Sequence, residues 1–285
     1  MPKIIDIKNT TYESSRLTGE MATAVSGIKV YPLFSGSRGN CTLIQSGGVN
    51  ILLDAGFSYK AILRALAEHG LTQKDVDAIV ISHEHSDHIS ALPYWGKACS
   101  TPIYAPAPIA DYLRQRVYFC EVIAIDGSFN IGDVKVDVYE CSHDARGCCG
   151  YRFSDGYGYF ACVTDTGCFD DRLIEFLSPC KAIMLESNHD VNMLTKGAYP
   201  YPLKQRILSP YGHLSNAQTA EIVCKLANTC VKTIILAHLS ENNNTKELAF
   251  NATVEALCSC GLVEGRDVTV YVADQYKNEV SICVD

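Results

Sequence analysis

The chain has 285 residues, 47% of them hydrophobic, with 32 acidic and 24 basic side chains and a formal charge of -8. That apolar content supplies a large core and excludes a disordered chain, and the acidic balance excludes nucleic-acid binding through a broadly basic surface. No apolar run is long enough to cross a bilayer and no signal peptide is read, so a membrane role is excluded and a cytoplasmic protein is expected.

Residues 1–26 carry Asn, Thr, Ser and Gly with little periodicity, and Met21 offers an alternative start; the stretch reads as a flexible extension or an expression remnant. No linker divides residues 27–285, which are expected to form a single domain. Strand-like runs follow at Ile28–Phe34, 41–45 and Val49–Leu53, with Gly47-Gly48 as the tight turn between the last two. Between the first two runs lies Ser35-Gly36-Ser37-Arg38-Gly39-Asn40. It is either a plain turn or a ligand loop with Ser37 and Asn40 as substrate contacts.

Asp54 ends the third run and is expected to hold neighbouring loops together. Tyr59, Ile62, Leu63 and Leu66 then repeat at helical spacing, with His69 as the C-terminal residue of that helix. The next apolar run, 76–81, leads into His83-Glu84-His85-Ser86-Asp87-His88. An H-x-H pair at a strand end lets both rings reach one metal, while Asp87 and His88 turn towards a second. Neutral imidazole and carboxylate suit zinc, manganese or iron.

Helix and strand patterns continue through 88–95, 102–105, 107–115 and Val122–Ile125, and a turn around 130–133 feeds a strand at 134–141. His143 follows that strand. Asp165 ends the run 159–165 and His238 ends 233–238, so four strands deliver a metal-binding side chain at their C-terminal ends. In α/β folds, sites assemble at that end. The fourteen cysteines fall mostly in apolar patterns, Cys162, Cys224 and Cys283 among them, and read as buried reduced thiols; Cys148-Cys149 and Cys258-x-Cys260 lack structural-zinc spacing.

This pattern resembles the metallo-β-lactamase superfamily, with H-x-H-x-D-H followed by a distant His, Asp and His. The stretches Ser35 to Asn40, Ser82 to His88, Glu186-Ser-Asn-His-Asp190, Gly212-His-Leu-Ser-Asn216 and Leu236 to Asn244 are similar to its YycJ/WalJ (VicX) branch. The resemblance implies an α/β fold, an αββα sandwich of two mixed β-sheets with helices on the outer faces. It also implies two divalent metal ions, Zn, Mn or Fe: His83, His85 and His143 on one, Asp87, His88 and His238 on the other, and Asp165 bridging. A metal-bridging hydroxide as nucleophile, 5′-to-3′ exonuclease activity on DNA ends and a link to DNA repair follow from the same resemblance. A small thioester or lactone hydrolase and an RNA-processing nuclease are the alternatives.

Tyr199 to Arg206 is rich in Pro and Tyr and carries Lys204 and Arg206, giving a local basic and aromatic patch in an acidic chain. It is either a substrate loop, with the cations on phosphates and the tyrosines on bases, or a packed surface loop. His213 precedes a helical stripe at Ala217, Ala220, Val223, Cys224 and Ala227, capped by Ser215 or Asn216. His213 is the candidate acid for the leaving oxygen, against a capping turn with a hydrogen-bonded histidine; Ser215 and Asn216 are candidate substrate contacts. Glu186 and His189 are expected to stabilise loops around the site, and the polar run 240–244 to end in the N-cap of the next helix.

Overall fold

A computed structural model describes residues 27–276 and 280–284; the N-terminal extension and the alternative start at Met21 lie outside the described residues. The strands are β1 (Ile28–Phe34), β2 (Cys41–Ser46), β3 (Val49–Leu53), β4 (Ala78–Val80), β5 (Ile103–Pro106), β6 (Val122–Ile125), β7 (Phe129–Ile131), β8 (Val134–Glu140), β9 (Cys149–Ser154), β10 (Tyr159–Val163), β11 (Ala182–Glu186), β12 (Thr233–Ala237), β13 (Thr269–Val272) and β14 (Ile282–Val284). The helices are α1 (Tyr59–Glu68), α2 (Ser86–Ile89), α3 (Leu92–Trp95), α4 (Ala107–Arg114), α5 (Asp171–Leu177), α6 (Val191–Lys196), α7 (Tyr201–Ile207), α8 (Asn216–Leu226) and α9 (Lys246–Ser259).

The strands form two seven-stranded mixed sheets, ordered β14-β1-β2-β3-β4-β5-β6 and β13-β12-β11-β10-β9-β8-β7. Period-two side-chain alternation makes each sheet a divider between two cores. In β4, Ala78 and Val80 face the second sheet while Ile79 faces outward to α1, α3 and α4, where Ile62, Leu66, Trp95 and Ile109 are buried. In β12, Ile235 and Ala237 face the first sheet, and Ile234 and Leu236 pack outward with Leu173, Ile222 and Leu257 of α5, α8 and α9. Helices thus cover both outer faces, giving the expected αββα sandwich. Strands buried on both faces show no polar alternation, and β11, all of whose residues are buried, does not stand out in the sequence.

β3 to β6 run parallel, as do β10 to β13, so their C-terminal ends gather on one rim. Tyr151 of the second sheet donates from its hydroxyl to the Ile81 carbonyl at 2.7 Å, and Cys149 N–H reaches the Ser82 carbonyl at 3.1 Å, fastening the sheets beside the histidine motif.

Several expectations are corrected. The turn expected at 130–133 narrows to Gly132-Asp133, because 129–131 pairs with 134–136 as a hairpin. β9 was not anticipated; the stretch from Tyr276 on, which reads only as a weak strand or tail, supplies β14, an edge strand on β1. Residues 201–207 form α7 rather than a loop, because Pro202 lies in the first turn, where its missing N–H costs nothing. The buried face of α8 is Asn216, Thr219, Ile222, Val223 and Leu226, one position away from the predicted stripe. Polar bonds set that rotation: Thr219 donates to the Glu186 carbonyl and Ser187 to Asn216 Oδ1. α9 is capped by Thr245, not within 240–244. Cys224 is only half-buried, and Cys230, Cys258, Cys260 and Cys283 are exposed.

Candidate metal centre

Three strands end on a residue with left-handed backbone: Asp54 after β3, Asp165 after β10 and His238 after β12, at φ 61°, 58° and 55°. This conformation costs an L-residue about 1–2 kcal/mol, and here it breaks the strand so that each side chain is buried among its neighbours from the other strands. The histidine motif leaves β4 and enters α2. Its backbone is clasped: the Asp87 carbonyl accepts from Asn40 N–H at 2.8 Å, and the His88 carbonyl from Ala55 N–H at 2.9 Å. Gly56 sits so close that a Cβ there would lie 1.6 Å from the Asp87 oxygen.

The polar ends of these side chains converge. His83, His85 and His143 bring ring nitrogens together, and so do Asp87, His88 and His238 with their carboxylate and ring atoms; His83, His88 and Asp165 form a third grouping between them. His143 Nε2 lies 3.3 Å from His85 Nδ1 and 3.8 Å from Asp165 Oδ1. His88 Nε2 is 3.3 Å from Asp165 Oδ2 and 3.5 Å from Asp87 Oδ2, which is also 3.5 Å from His238 Nε2.

Most rings are held from behind by a second partner that leaves one nitrogen for the centre. His88 Nδ1 meets Asp54 Oδ2 at 2.7 Å, His83 Nδ1 the Ser82 hydroxyl at 3.1 Å, and His143 Nδ1 the Gly212 carbonyl at 3.0 Å. His238 Nδ1 meets Glu186 Oε1 at 2.9 Å, and His213 Nδ1 meets the same oxygen at 2.8 Å. Glu186 also accepts from the N–H groups of Thr166 and Leu214. Glu186 therefore does more than stabilise loops. It aims two histidines, a role invisible in sequence because residues 186, 213 and 238 meet only through β11, β12 and the turn before α8. A fourth grouping, Asp165, Glu186, His213 and His238, has ligand chemistry too, but its ring Nδ1 atoms are engaged by Glu186.

Electrostatics fit a cation. Burial, with the crowding of His88, His143 and His85, pushes His83 well below its usual range and keeps that ring neutral. Burial also lowers His88 and His238, yet carboxylates overcome it: Asp54 and Asp165 raise His88 well above its usual range, and Asp165 with Asp87 and Glu186 pushes His238 up to about 10. The carboxylates thus draw protons where no metal competes. His83 Nε2, Asp165 Oδ2 and His238 Nε2 are buried without a hydrogen-bond partner among the described residues. Orphaned buried atoms of this kind call for an ion or water, and a donor set of imidazole and carboxylate suits a divalent metal. The residues fit the group.

The remaining candidates fall around this centre. Ser37 is exposed, while Asn40 is buried, bonded to the N–H and carbonyl of Gly36, with Nδ2 3.1 Å from His88 Nε2. Ser215 caps α8, its hydroxyl accepting from Gln218 N–H, and Asn216 is buried against Ser187 and Asn244. Lys204 Nζ donates to the Thr195 carbonyl at 2.8 Å, and Arg206 pairs with Asp144, the neighbour of His143. A cavity of about 170 Å³ opens beside His213, lined by Ser37, Asp144, Asn188, Tyr199 and Arg206 among others. Burial would lower His213, but Glu186 and Asp165 raise it above its ordinary value.

Comparison with known proteins places this arrangement. Residues 49–239 match the Beta-lactamase superfamily domain. The chain is 36% identical over 252 residues to Exodeoxyribonuclease WalJ of Streptococcus pneumoniae serotype 2, covering 86% of this chain and 94% of that protein. It is 33% identical over 253 residues to Exodeoxyribonuclease YycJ of Bacillus anthracis, covering 87% and 96%. The fold resembles the metallo-beta-lactamase fold protein YhfI from Bacillus subtilis with a TM-score of 0.70 at 17% identity, over 90% of this chain and 100% of that one. With the histidine motif, His143, Asp165 and His238 all inside the matched span, the chain belongs to the metallo-β-lactamase superfamily.

Proposed function

We propose that the protein is a metal-dependent phosphodiesterase that removes nucleotides from DNA ends in the 5′-to-3′ direction. The carrying observation is the pair of ligand groupings, His83/His85/His143 and Asp87/His88/His238, that flank Asp165. Divalent ions held here, Zn or Mn, would supply an activated water as nucleophile and neutralise charge on the transferring phosphorus. His83, His85 and His143 would hold one ion and Asp87, His88 and His238 the other, with Asp165 between the two groupings. Mostly buried rings locked by Asp54, Ser82, Gly212 and Glu186 keep this geometry fixed during turnover.

His213 is the proton donor to the leaving oxygen. Its Nδ1 is engaged by Glu186, it borders the cavity, and its raised pKa keeps a proton available near neutral pH. The cavity receives the terminal nucleotide, with Arg206 on a phosphate oxygen, Tyr199 against the base and Ser37 at the rim. Lys204 adds charge from the same helix, Asn40 keeps the 36–40 turn closed over His88, and Ser215 and Asn216 hold the start of α8 near His213. The names of the 33–36% identical relatives support DNA as the substrate, and end removal of this kind fits a DNA-repair setting.

The test is digestion of duplex DNA labelled separately at each end, with Mn²⁺ or Zn²⁺ restored to metal-stripped protein. Loss from the 5′ end that disappears in Asp165→Ala, and that falls about tenfold in Arg206→Ala, is the expected result. Turnover of thioesters or lactones with no DNA cleavage would overturn it, and cleavage confined to RNA would replace DNA as the substrate.

A further inference from the structure

The loop that carries His143 presents a second basic surface, outside the lining of the cavity. Asp144 turns to Arg206 on α7, and two residues on, Arg146 lies over the Tyr112 ring of α4 with its guanidinium carbon 5.4 Å from the ring centre. Arg116 stacks on the same ring at 3.5 Å and donates from one nitrogen to the Tyr112 carbonyl at 3.0 Å. Both arginines are exposed. Among the described residues neither forms an ion pair, although the chain carries a net charge of -8 and most other arginines of this region are paired: Arg114 with Asp111 and Arg206 with Asp144. The Arg146 side chain makes no hydrogen bond among those residues, and its backbone N–H is fixed by Glu84, the residue between His83 and His85. Tyr118 and Phe119, two and three residues beyond Arg116, are 77% and 67% exposed.

A guanidinium stacked on an aromatic face is pre-oriented, with its N–H edges free for phosphate oxygens. Exposed aromatics interleaved with cations are what an unpaired strand needs, because every base has a face to stack and every phosphate a charge to neutralise. We propose that Arg146, Tyr112 and Arg116 form a track for single-stranded DNA, holding the nucleotides on the side of the scissile phosphate away from the terminal-nucleotide cavity. The proposal rests on the nuclease reading. It adds that the enzyme grips several unpaired nucleotides beyond the cleavage point, so the body of its substrate is a single strand as it crosses α4. The loop 142–147 is the ridge between the two subsites: His143 faces the metal centre, Asp144 the cavity side and Arg146 the track.

The experiment measures binding of hydrolysis-resistant phosphorothioate oligodeoxynucleotides of two and twelve nucleotides to the metal-loaded full-length protein over a range of salt concentrations. Wild type should bind the longer strand more tightly. Arg116→Ala should weaken the twelve-mer about tenfold at low salt, lower the salt slope by about 0.7, and change dinucleotide binding much less. Arg146→Ala should do the same, and the double variant should lower the slope by about 1.4. Arg116 lies two residues past the end of α4, outside the 142–147 loop, so it tests the track even if Arg146→Ala disturbs the His143 loop. Lys232→Ala, which removes one charge at the opposite end of β12 from His238, should leave both oligonucleotides unaffected. Equal losses for both lengths, or none, would overturn the track while DNA cleavage by wild type keeps the nuclease reading. A wild type that hydrolyses a small diester such as thymidine 5′-p-nitrophenyl phosphate, but neither binds nor cuts DNA, would remove the nuclease reading and the track with it.

Discussion

Adding one methyl group at Gly56 is the sharpest perturbation that the loop carrying Asp87 and His88 permits. A Cβ there falls 1.6 Å from the Asp87 carbonyl oxygen, 2.0 Å from its carbon and 2.5 Å from the His88 nitrogen, and the obstructing atoms are backbone. Reaching the 3.4 Å of ordinary contact requires a retreat of about 1.8 Å. That motion strains the hydrogen bonds Asn40 N–H to Asp87 O and Ala55 N–H to His88 O, which hold the loop. Two backbone bonds at about 1 kcal/mol each and an overpacking cost of about 1–3 kcal/mol give a destabilisation of about 3–5 kcal/mol for Gly56→Ala. Asp87 and His88 would move with their backbone, and metal affinity should fall at least about 100-fold. Calorimetric titration of stripped protein with Zn²⁺ or Mn²⁺, alongside thermal unfolding, reads both effects. A variant that melts within 2 °C of wild type and binds metal within about threefold would refute the argument that this contact sets the ligand geometry.

Glu186→Gln should lower kcat by about 10–100-fold and metal affinity by a similar factor, because a neutral amide cannot accept from His213, His238 and two backbone N–H groups at once; steady-state kinetics and a metal titration check it. Tyr151→Phe should cost about 1–2 kcal/mol in denaturant unfolding, since it leaves the buried Ile81 carbonyl without its partner across the sheets. Burial opposes ionisation of Asp137, but Lys135, Arg152 and Ser128 overcome it and hold the carboxyl at about 2. Its contribution is therefore fully present above about pH 4 and is lost as pH falls towards 2, so Asp137→Asn should be about 1–2 kcal/mol less stable at pH 7 and the difference should vanish near pH 2. Chelation should lower the melting temperature by about 5–10 °C relative to protein with metal at about 100 times its Kd, as scanning calorimetry would show.

The candidate centre was legible because its ligands are chemically rare and recur at the same topological place. His83, His143, Asp165 and His238 each follow an apolar strand, and parallel pairing turns that linear rhythm into one rim. Asp54 could be anticipated as a supporting residue for the same reason, and it does brace His88. Glu186 also ends a strand, but its value lies in meeting His213 and His238, separations of 27 and 52 residues that no local pattern encodes. The pattern for α8 misled by one position because alanines signal a helix without saying which side is buried; Asn216 and Thr219 turn inward to satisfy buried polar groups instead. α7 was hidden by its prolines, which read as loop residues yet suit a first helical turn. Arg146 and Arg116 are unremarkable as letters. Arg116 meets Tyr112 four residues back along its own segment, but only the packing of the 142–147 loop against α4 brings Arg146 to the same ring.

The gathering of the candidate ligands at the strand C-terminal ends leaves the other rim of the sandwich without any of them among the described residues. There the chain reverses at Gly47-Gly48 and Gly156, where positive φ angles accompany open space around the backbone. These reversals precede β3 and β10, so they lie a full strand away from Asp54 and Asp165. A fluorescent reporter spliced at either turn, or new termini opened there by circular permutation, would meet no ligand and no substrate path. The architecture therefore separates a working edge from a handle by which the protein can be tethered, labelled or fused.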